Sequence, residues 1–333
     1  MSAAGVQIGH PKELALAVQV ARRYYLEQQS KVEIATAMNI SRFRVARLLD
    51  MARTSGLVSI RIETPGAVNT ELSDLLIERY GLKRAIAVDA LPGDDAMVRD
   101  RLGETAARLL EEIVTADDVV GIGWARSVIS MAAHIKSLPA CRIVQLTGAL
   151  SRPDVDISTT EVVRRLARLG GGTASLFYAP MFVSDPQTAE MIRKQSETAE
   201  AFGQFSRVTK AVVGIGGWQP PASALYDALT SKERRLLTER GVSADLSGVF
   251  VDRNGQAMQM PLGQRTIGIS ANELKAIPEV IAIAYGREKL SAVRTAIAGG
   301  FIHTLVVSTN FARALITYPA QLKRIRVSQP QQS

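Results

Sequence analysis

Between residues 11 and 55 the apolar positions recur every three or four residues, the period of helices that bury one face. Pro11 suits the first turn of a helix, and Leu14, Ala17, Val18, Ala21 and Tyr25 carry the pattern to about residue 29. Ser30-Lys31-Val32-Glu33 fits a capping box, in which the hydroxyl and the carboxylate satisfy opposite unpaired N–H groups. A second, short helix therefore starts there and ends near Met38. Asn39-Ile40-Ser41 predicts a tight turn, with Ser41 capping a third helix that Gly56 stops after about residue 55. Beyond it, residues 58–63 alternate apolar and polar, as a strand with one buried face does. The series helix, helix, turn, helix, strand is that of a winged helix-turn-helix.

Thr64-Pro65-Gly66 interrupts both periodicities and marks a linker. The expected domains are residues 1–64 and 65–325, with 326–333 a disordered Gln/Ser tail. A helix is predicted over 69–80, with Leu72, Leu75 and Leu76 on one face to pack inward or to join protomers. Short apolar runs then alternate with helical stretches. Strands are expected at 85–88, 119–122, 142–146, 174–178, 211–215, 266–269, 280–284 and 304–307, and helices at 97–113, 159–169, 188–201 and 289–298. Strand runs without polar alternation imply burial on both faces, so the larger domain reads as a Rossmann-like, mainly parallel α/β sheet. Asp252-Arg253-Asn254-Gly255 predicts a hairpin turn between 249 and 259.

Charge sharpens the reading of the first domain. The 333 residues carry a net charge of +8, and residues 1–64 hold nine Lys/Arg against five Asp/Glu, half of that excess in a fifth of the chain. A concentrated basic segment attracts a polyanion. In the third helix Val45, Leu48, Leu49 and Ala52 form one stripe, which turns Phe43, Arg47 and Asp50 outward with Arg44 and Ala46 on the flanks. Arg44 and Arg47 are placed to read guanine edges in the major groove of double-stranded DNA, and Phe43 either touches a thymine methyl or packs on the first helix. Lys31, Ser41 and Arg42, near helix starts, suit phosphates. A sequence-specific DNA-binding protein is implied.

Other classes are excluded. Cys141 is the single cysteine, and with His10, His134 and His303 it shows no metal-ligand spacing, so neither an internal disulfide nor a bound metal is expected. Membrane-spanning and secretory patterns are missing, which predicts a cytoplasmic location.

Residues 20–25, 32–35, 40–49 and 56–58 together resemble the DNA-binding domain of SorC/DeoR-type sugar-binding transcriptional regulators, and the similarity runs through nearly the whole chain. Many members carry Pro-Thr where this chain has Phe43-Arg44, so an operator sequence does not carry over from them. The resemblance implies a sugar-phosphate-isomerase-like effector domain, a sugar, polyol or sugar-phosphate ligand, and assembly as a homodimer or homotetramer. It also implies that the Gly121-Ile122-Gly123-Trp124-Ala125-Arg126-Ser127 loop binds the effector, where members have a similar G-x-G-W-G-x-T.

On its residues alone that loop is either a tight strand-to-helix turn or a cradle in which glycines let the backbone approach a ligand at a helix start. Arg126 occupies the place of the third glycine of a dinucleotide fingerprint, so no nucleotide cofactor is expected. Candidate effector residues are Gly121, Gly123, Trp124, Arg126 and Ser127. Gln145, Thr147, Gly148, Tyr178 and Pro180 follow other strands, and Lys289 suits a phosphate. Asp252 either accepts from sugar hydroxyls or forms its turn. Gly214 to Trp218 echoes the first Gly-Trp loop and reads as a turn near the pocket. The competing expectation is a sugar-phosphate isomerase or deaminase, for which the sequence presents no assembled acid–base pair.

Overall fold

The computed structural model describes residues 11–58, 68–90, 94–150, 157–218 and 221–318. Nearly all of the predicted wing strand, the 64–66 linker and the 326–333 tail lie outside them. The chain divides into two compact units, residues 1–63 and 64–333.

In the first unit the helices are α1 (Pro11–Tyr25), α2 (Lys31–Ala37) and α3 (Arg42–Thr54). The capping box is present: the Glu33 amide donates to Ser30 Oγ, and Glu33 accepts from the Ser30 amide at 2.7 Å. Asn39 takes the left-handed conformation (φ 52°) that a tight turn needs and that asparagine tolerates. Ser41 Oγ accepts from the Arg44 amide and caps α3. Ala17, Val20 and Ala21 of α1, Ile34 of α2 and Val45, Leu48, Leu49 and Ala52 of α3 form one small core. The α1 stripe is rotated from expectation. Val20 is buried and Val18 exposed, because the contact that decides is with α3.

The second unit is organised by seven parallel strands. These are β1 (Arg84–Val88), β2 (Val119–Ile122), β3 (Arg142–Gln145), β4 (Thr173–Ser175), β5 (Lys210–Gly214), β10 (Glu279–Ala284) and β11 (Thr304–Ser308), in the order β1-β11-β10-β5-β2-β3-β4. Alternate residues serve opposite faces, as in β5, where Ala211 and Val213 enter one apolar cluster and Val212 the other. Helices α4 (Thr70–Tyr80), α5 (Asp95–Ile113), α6 (Arg126–His134) and α7 (Thr159–Gly170) help to cover the sheet. Leu76 of α4 is buried and Leu72 packs on the core, whereas Leu75 stays exposed.

Between β5 and β10 the chain adds a small antiparallel sheet, β6 (Gly216–Trp218), β7 (Pro221–Ala222), β8 (Val242–Leu246) and β9 (Val249–Asp252), ordered β7-β6-β8-β9. The expected Asp252 turn closes a short hairpin, with an antiparallel bridge from Val251 to Ala257 and hydrogen bonds from the Asp252 amide to the Gln256 carbonyl and from the Met258 amide to the Phe250 carbonyl. A second hairpin, not expected from the sequence, joins β8 to β9 through Ser247-Gly248, whose φ values of 52° and 86° are those of a two-residue turn that matches strand twist. Other expectations are corrected here. Residues 266–269 form isolated bridges to Thr147 and Phe182 instead of a strand, and β4 ends at Ser175. The helix expected at 188–201 is two, Pro186–Lys194 and Ser196–Phe202, separated by extended Gln195.

The connections carry a consequence for function. From β2 the chain proceeds to β3 on one side, while from β5 it returns, through the small sheet, to β10 on the other. Adjacent β2 and β5 thus flank a topological switch point, and the diverging connections leave a crevice at their carboxyl ends.

Candidate functional site

In the first unit the buried stripe of α3 leaves its opposite face to solvent. Phe43 is 85% exposed, which removes packing on α1 as its role. Arg42, Arg44 and Arg47 are exposed on the same helix, and Ser41 is exposed at its start. Lys31 lies half-buried with its ammonium 5.9 Å from the Tyr24 ring centroid.

In the second unit the crevice at the switch point is a cleft of about 190 Å³, small beside the roughly 300–1,000 Å³ of sites for drug-sized ligands. The loop after β2, the Gly214–Gly216 stretch after β5, the 222–227 segment from β7 onward, the β8–β9 turn and the turn after β10 converge on it, with Asp95, Leu150 and Met181 beside them. Of the predicted residues, Trp124, Arg126, Ser127 and Lys289 line it. Ala125 caps α6 without a side-chain hydrogen bond, and the start of this helix lines the cleft. Gly123 lies just behind: a Cβ there would come within 2.3 Å of Ser247 Oγ, so glycine is what allows the β8–β9 turn to approach. A Cβ on Gly121 would meet the Leu146 side chain, a packing role.

The other candidates do not line the cleft. Gln145 is buried, donating to the Thr147 carbonyl and accepting from Thr160. Thr147 is buried beside it, and Gly148 lies against the Pro180 backbone, where a Cβ would be 2.6 Å from the Pro180 carbonyl oxygen. Tyr178 is exposed and hydrogen-bonded to Arg164, and Pro180 is exposed. Asp252 forms its turn, accepting from the Asn254 and Gln256 amides at 2.8 Å each.

Sequence reasoning missed the cleft's most distinctive groups, which sit on the small antiparallel sheet. Asp245 of β8 is buried, and its Oδ2 accepts from Ser223 Oγ at 2.7 Å and Trp218 Nε1 at 3.1 Å. Gly216 makes room for it, since a Cβ there would come within 2.0 Å of the carboxylate. Burial pushes Asp245 above the usual carboxylate range, against the hydrogen bonds from Ser223 and Trp218 and the charge of Lys289. Lys289 is pushed down by the same desolvation, against the opposing pull of Asp245 and Glu288. Its ammonium also lies 5.0 Å from the Tyr285 ring centroid.

Ser247 holds a left-handed backbone that favours Gly or Asn. It is only 6% exposed, and its hydroxyl has no hydrogen-bond partner in the structure. A left-handed serine with a buried, unsatisfied hydroxyl is uncommon and sets this residue apart among those lining the cleft. The signal available in the sequence was Ser247-Gly248 between two apolar runs. Among the described residues no group of three or more His, Cys, Asp or Glu is arranged to hold a metal ion.

A family model described as "Putative sugar-binding domain" matches residues 66–317. The chain belongs to this sugar-binding domain family. It is 26% identical to the Deoxyribonucleoside regulator of Bacillus subtilis over 90% of this chain and 97% of that one. It is likewise 26% identical to the Sorbitol operon regulator of Klebsiella pneumoniae over 91% and 98% of the two chains. The crystal structure of the full-length sorbitol operon regulator SorC from Klebsiella pneumoniae shares the fold, with a TM-score of 0.70 at 24% identity over 91% of this chain and 98% of that one. The resemblance seen in the sequence is thus matched by the family and by the fold. Among the described residues no helix is long and apolar enough to cross a membrane.

Proposed function

We propose that the chain is a sequence-specific DNA-binding regulator of transcription that answers to a small sugar, polyol or sugar phosphate. The observation that carries the DNA half is the exposed face of α3, where Phe43, Arg44 and Arg47 stand opposite a buried stripe on a helix introduced by a capped short helix and a tight turn. The effector half is supported by the family, by relatives named for sorbitol operon and deoxyribonucleoside regulation, and by a polar cleft at the switch point of the parallel sheet. In this reading Arg44 and Arg47 contact bases, while Arg42, Lys31 and Ser41 hold phosphates and set the register. Residues 1–64 bind DNA and residues 65–325 sense the ligand and assemble the protein as a homodimer or homotetramer in the cytoplasm. Two-fold related recognition helices must sit about 34 Å apart to engage successive turns of DNA, so a ligand that changes protomer geometry changes operator affinity.

A footprint upstream of the protein's own operon tests the DNA assignment. Arg47→Ala is expected to abolish protection while the melting temperature is unchanged; undiminished protection would remove α3 as the reading helix. The Asp245–Lys289 couple supports a second reading, proton-transfer chemistry on a sugar phosphate. Product formation when the purified protein is incubated with aldose and ketose phosphates would favour it.

A further inference from the structure

The charge inside the cleft discriminates between two ligand chemistries. Among the described residues four carboxylates, Asp95, Asp227, Asp245 and Glu288, line it against two cations, Arg126 and Lys289. Lys289 feels Asp245, Glu288 and Asp95 as opposing charges and Arg126 as a like one, so its positive charge is already answered by the protein. The start of α6 adds about half a positive charge, less than the excess of carboxylates. A phosphate ester would bring about 1.5–2 further negative charges into this small, partly dry space. The side chains that favour phosphate most are arginine and lysine, which are outnumbered here by carboxylates.

The uncharged groups tell the same story. Ser127, Ser223 and Ser247 also line the cleft; the Ser127 hydroxyl donates to the Ile283 carbonyl and that of Ser223 to Asp245, whereas that of Ser247 has no protein partner although it is buried. Carboxylates that only accept, cations that only donate and hydroxyls that do both form a lining that matches successive C–OH groups, each of which donates once and accepts twice.

From this lining we infer that the cleft takes an uncharged polyhydroxylated ligand, an open-chain polyol or unphosphorylated sugar, in preference to its phosphate ester, with the Ser247 hydroxyl and the carboxylates as its hydrogen-bond partners. The inference rests on the reading of the cleft as the effector site.

The test is calorimetric titration of the full-length protein with erythritol, xylitol, sorbitol and ribose, each beside its terminal phosphate ester, and with inorganic phosphate. At least one unphosphorylated member is expected to bind at least tenfold more tightly than its ester, and inorganic phosphate not to compete. Ser247→Ala is expected to weaken that polyol at least tenfold. Ser247→Gly, which suits the left-handed backbone, should do the same without lowering the melting temperature, so loss of fold is separable from loss of contact. Glu288→Gln is expected to narrow the preference by improving the ester. An ester that binds more tightly than its parent, and is weakened by Lys289→Met, overturns this inference while leaving the cleft as the effector site. Binding of any member that is indifferent to both Ser247→Ala and Lys289→Met overturns the cleft itself, and so does failure of every member to bind.

Discussion

Truncating Phe43 to alanine separates recognition from folding. The ring is 85% exposed and the neighbouring core of α3 is built without it, so the substitution should leave stability within about 0.5 kcal/mol of the parent. Its effect belongs to the complex. Of the roughly 200 Å² that a phenylalanine can bury, about 170 Å² is open to a partner, and at about 25 cal/mol per Å² the ceiling is ~4 kcal/mol. Contact with one thymine methyl covers part of that surface, which places the expected loss at about 1–3 kcal/mol, or roughly 5- to 150-fold in operator affinity. The assay is a titration of the footprinted operator at fixed salt, paired with thermal melting. A second arm replaces thymines by deoxyuridine one at a time. One replacement should reproduce part of the loss in the parent protein and have no further effect in Phe43→Ala, because the methyl and the ring are two sides of one contact. A loss of unfolding free energy of about 3–5 kcal/mol, typical of a buried phenylalanine, would refute the exposure argument. Full operator affinity in the variant would refute the contact.

Three further outcomes follow from the same geometry. Leu48→Ala empties a site that is 2% exposed in the small core of the first unit, so about 2–5 kcal/mol should be lost there; scanning calorimetry should show an early transition and lost DNA binding, with effector binding kept. Asp118 is opposed by burial, yet hydrogen bonds from Lys210, Thr209 and Thr115 hold it at about 2, below its ordinary 3.8. Its stabilisation is therefore complete above pH 4 and lost as pH falls towards 2, and the shift corresponds to ~2 kcal/mol. Asp118→Asn should be destabilised at pH 7 and show a flatter acid limb in urea melts between pH 4 and 2, whereas an unchanged limb would count against the ion pair. Gly123→Ala drives a methyl against Ser247 Oγ, so it should weaken effector binding at least tenfold for about 1–3 kcal/mol of stability; unaltered calorimetric affinity would show that the β8–β9 turn does not shape the site.

The sequence by itself determined the features whose causes are local. The capping box at Ser30 and Glu33, the left-handed Asn39, the Ser41 cap and the four-residue stripe of α3 all depend on groups within a few residues of one another, so the first unit and its exposed basic face are legible in the order of residues alone. The parallel strands are legible for the same reason, since continuous apolar runs report burial on both faces. The segments at 266–269 and beyond Ser175 are apolar too, but their hydrogen bonds go to distant loops, which no local pattern records. The cleft is half visible. The loop of Trp124, Arg126 and Ser127 and the lysine at 289 stand at strand ends, where ligands gather, while Gln145, Tyr178 and Asp252 stand at strand ends too and serve other contacts. Only tertiary structure tells them apart, because the order of strands places the switch point between β2 and β5. Tertiary structure alone also brings Asp245 and Ser247, far along the chain from the Gly-Trp loop, against it. A carboxylate inside a strand and a serine in a two-residue turn look ordinary in sequence. Burial, a missing hydrogen bond and the proximity of a lysine make them a site, and all three are properties of the folded chain.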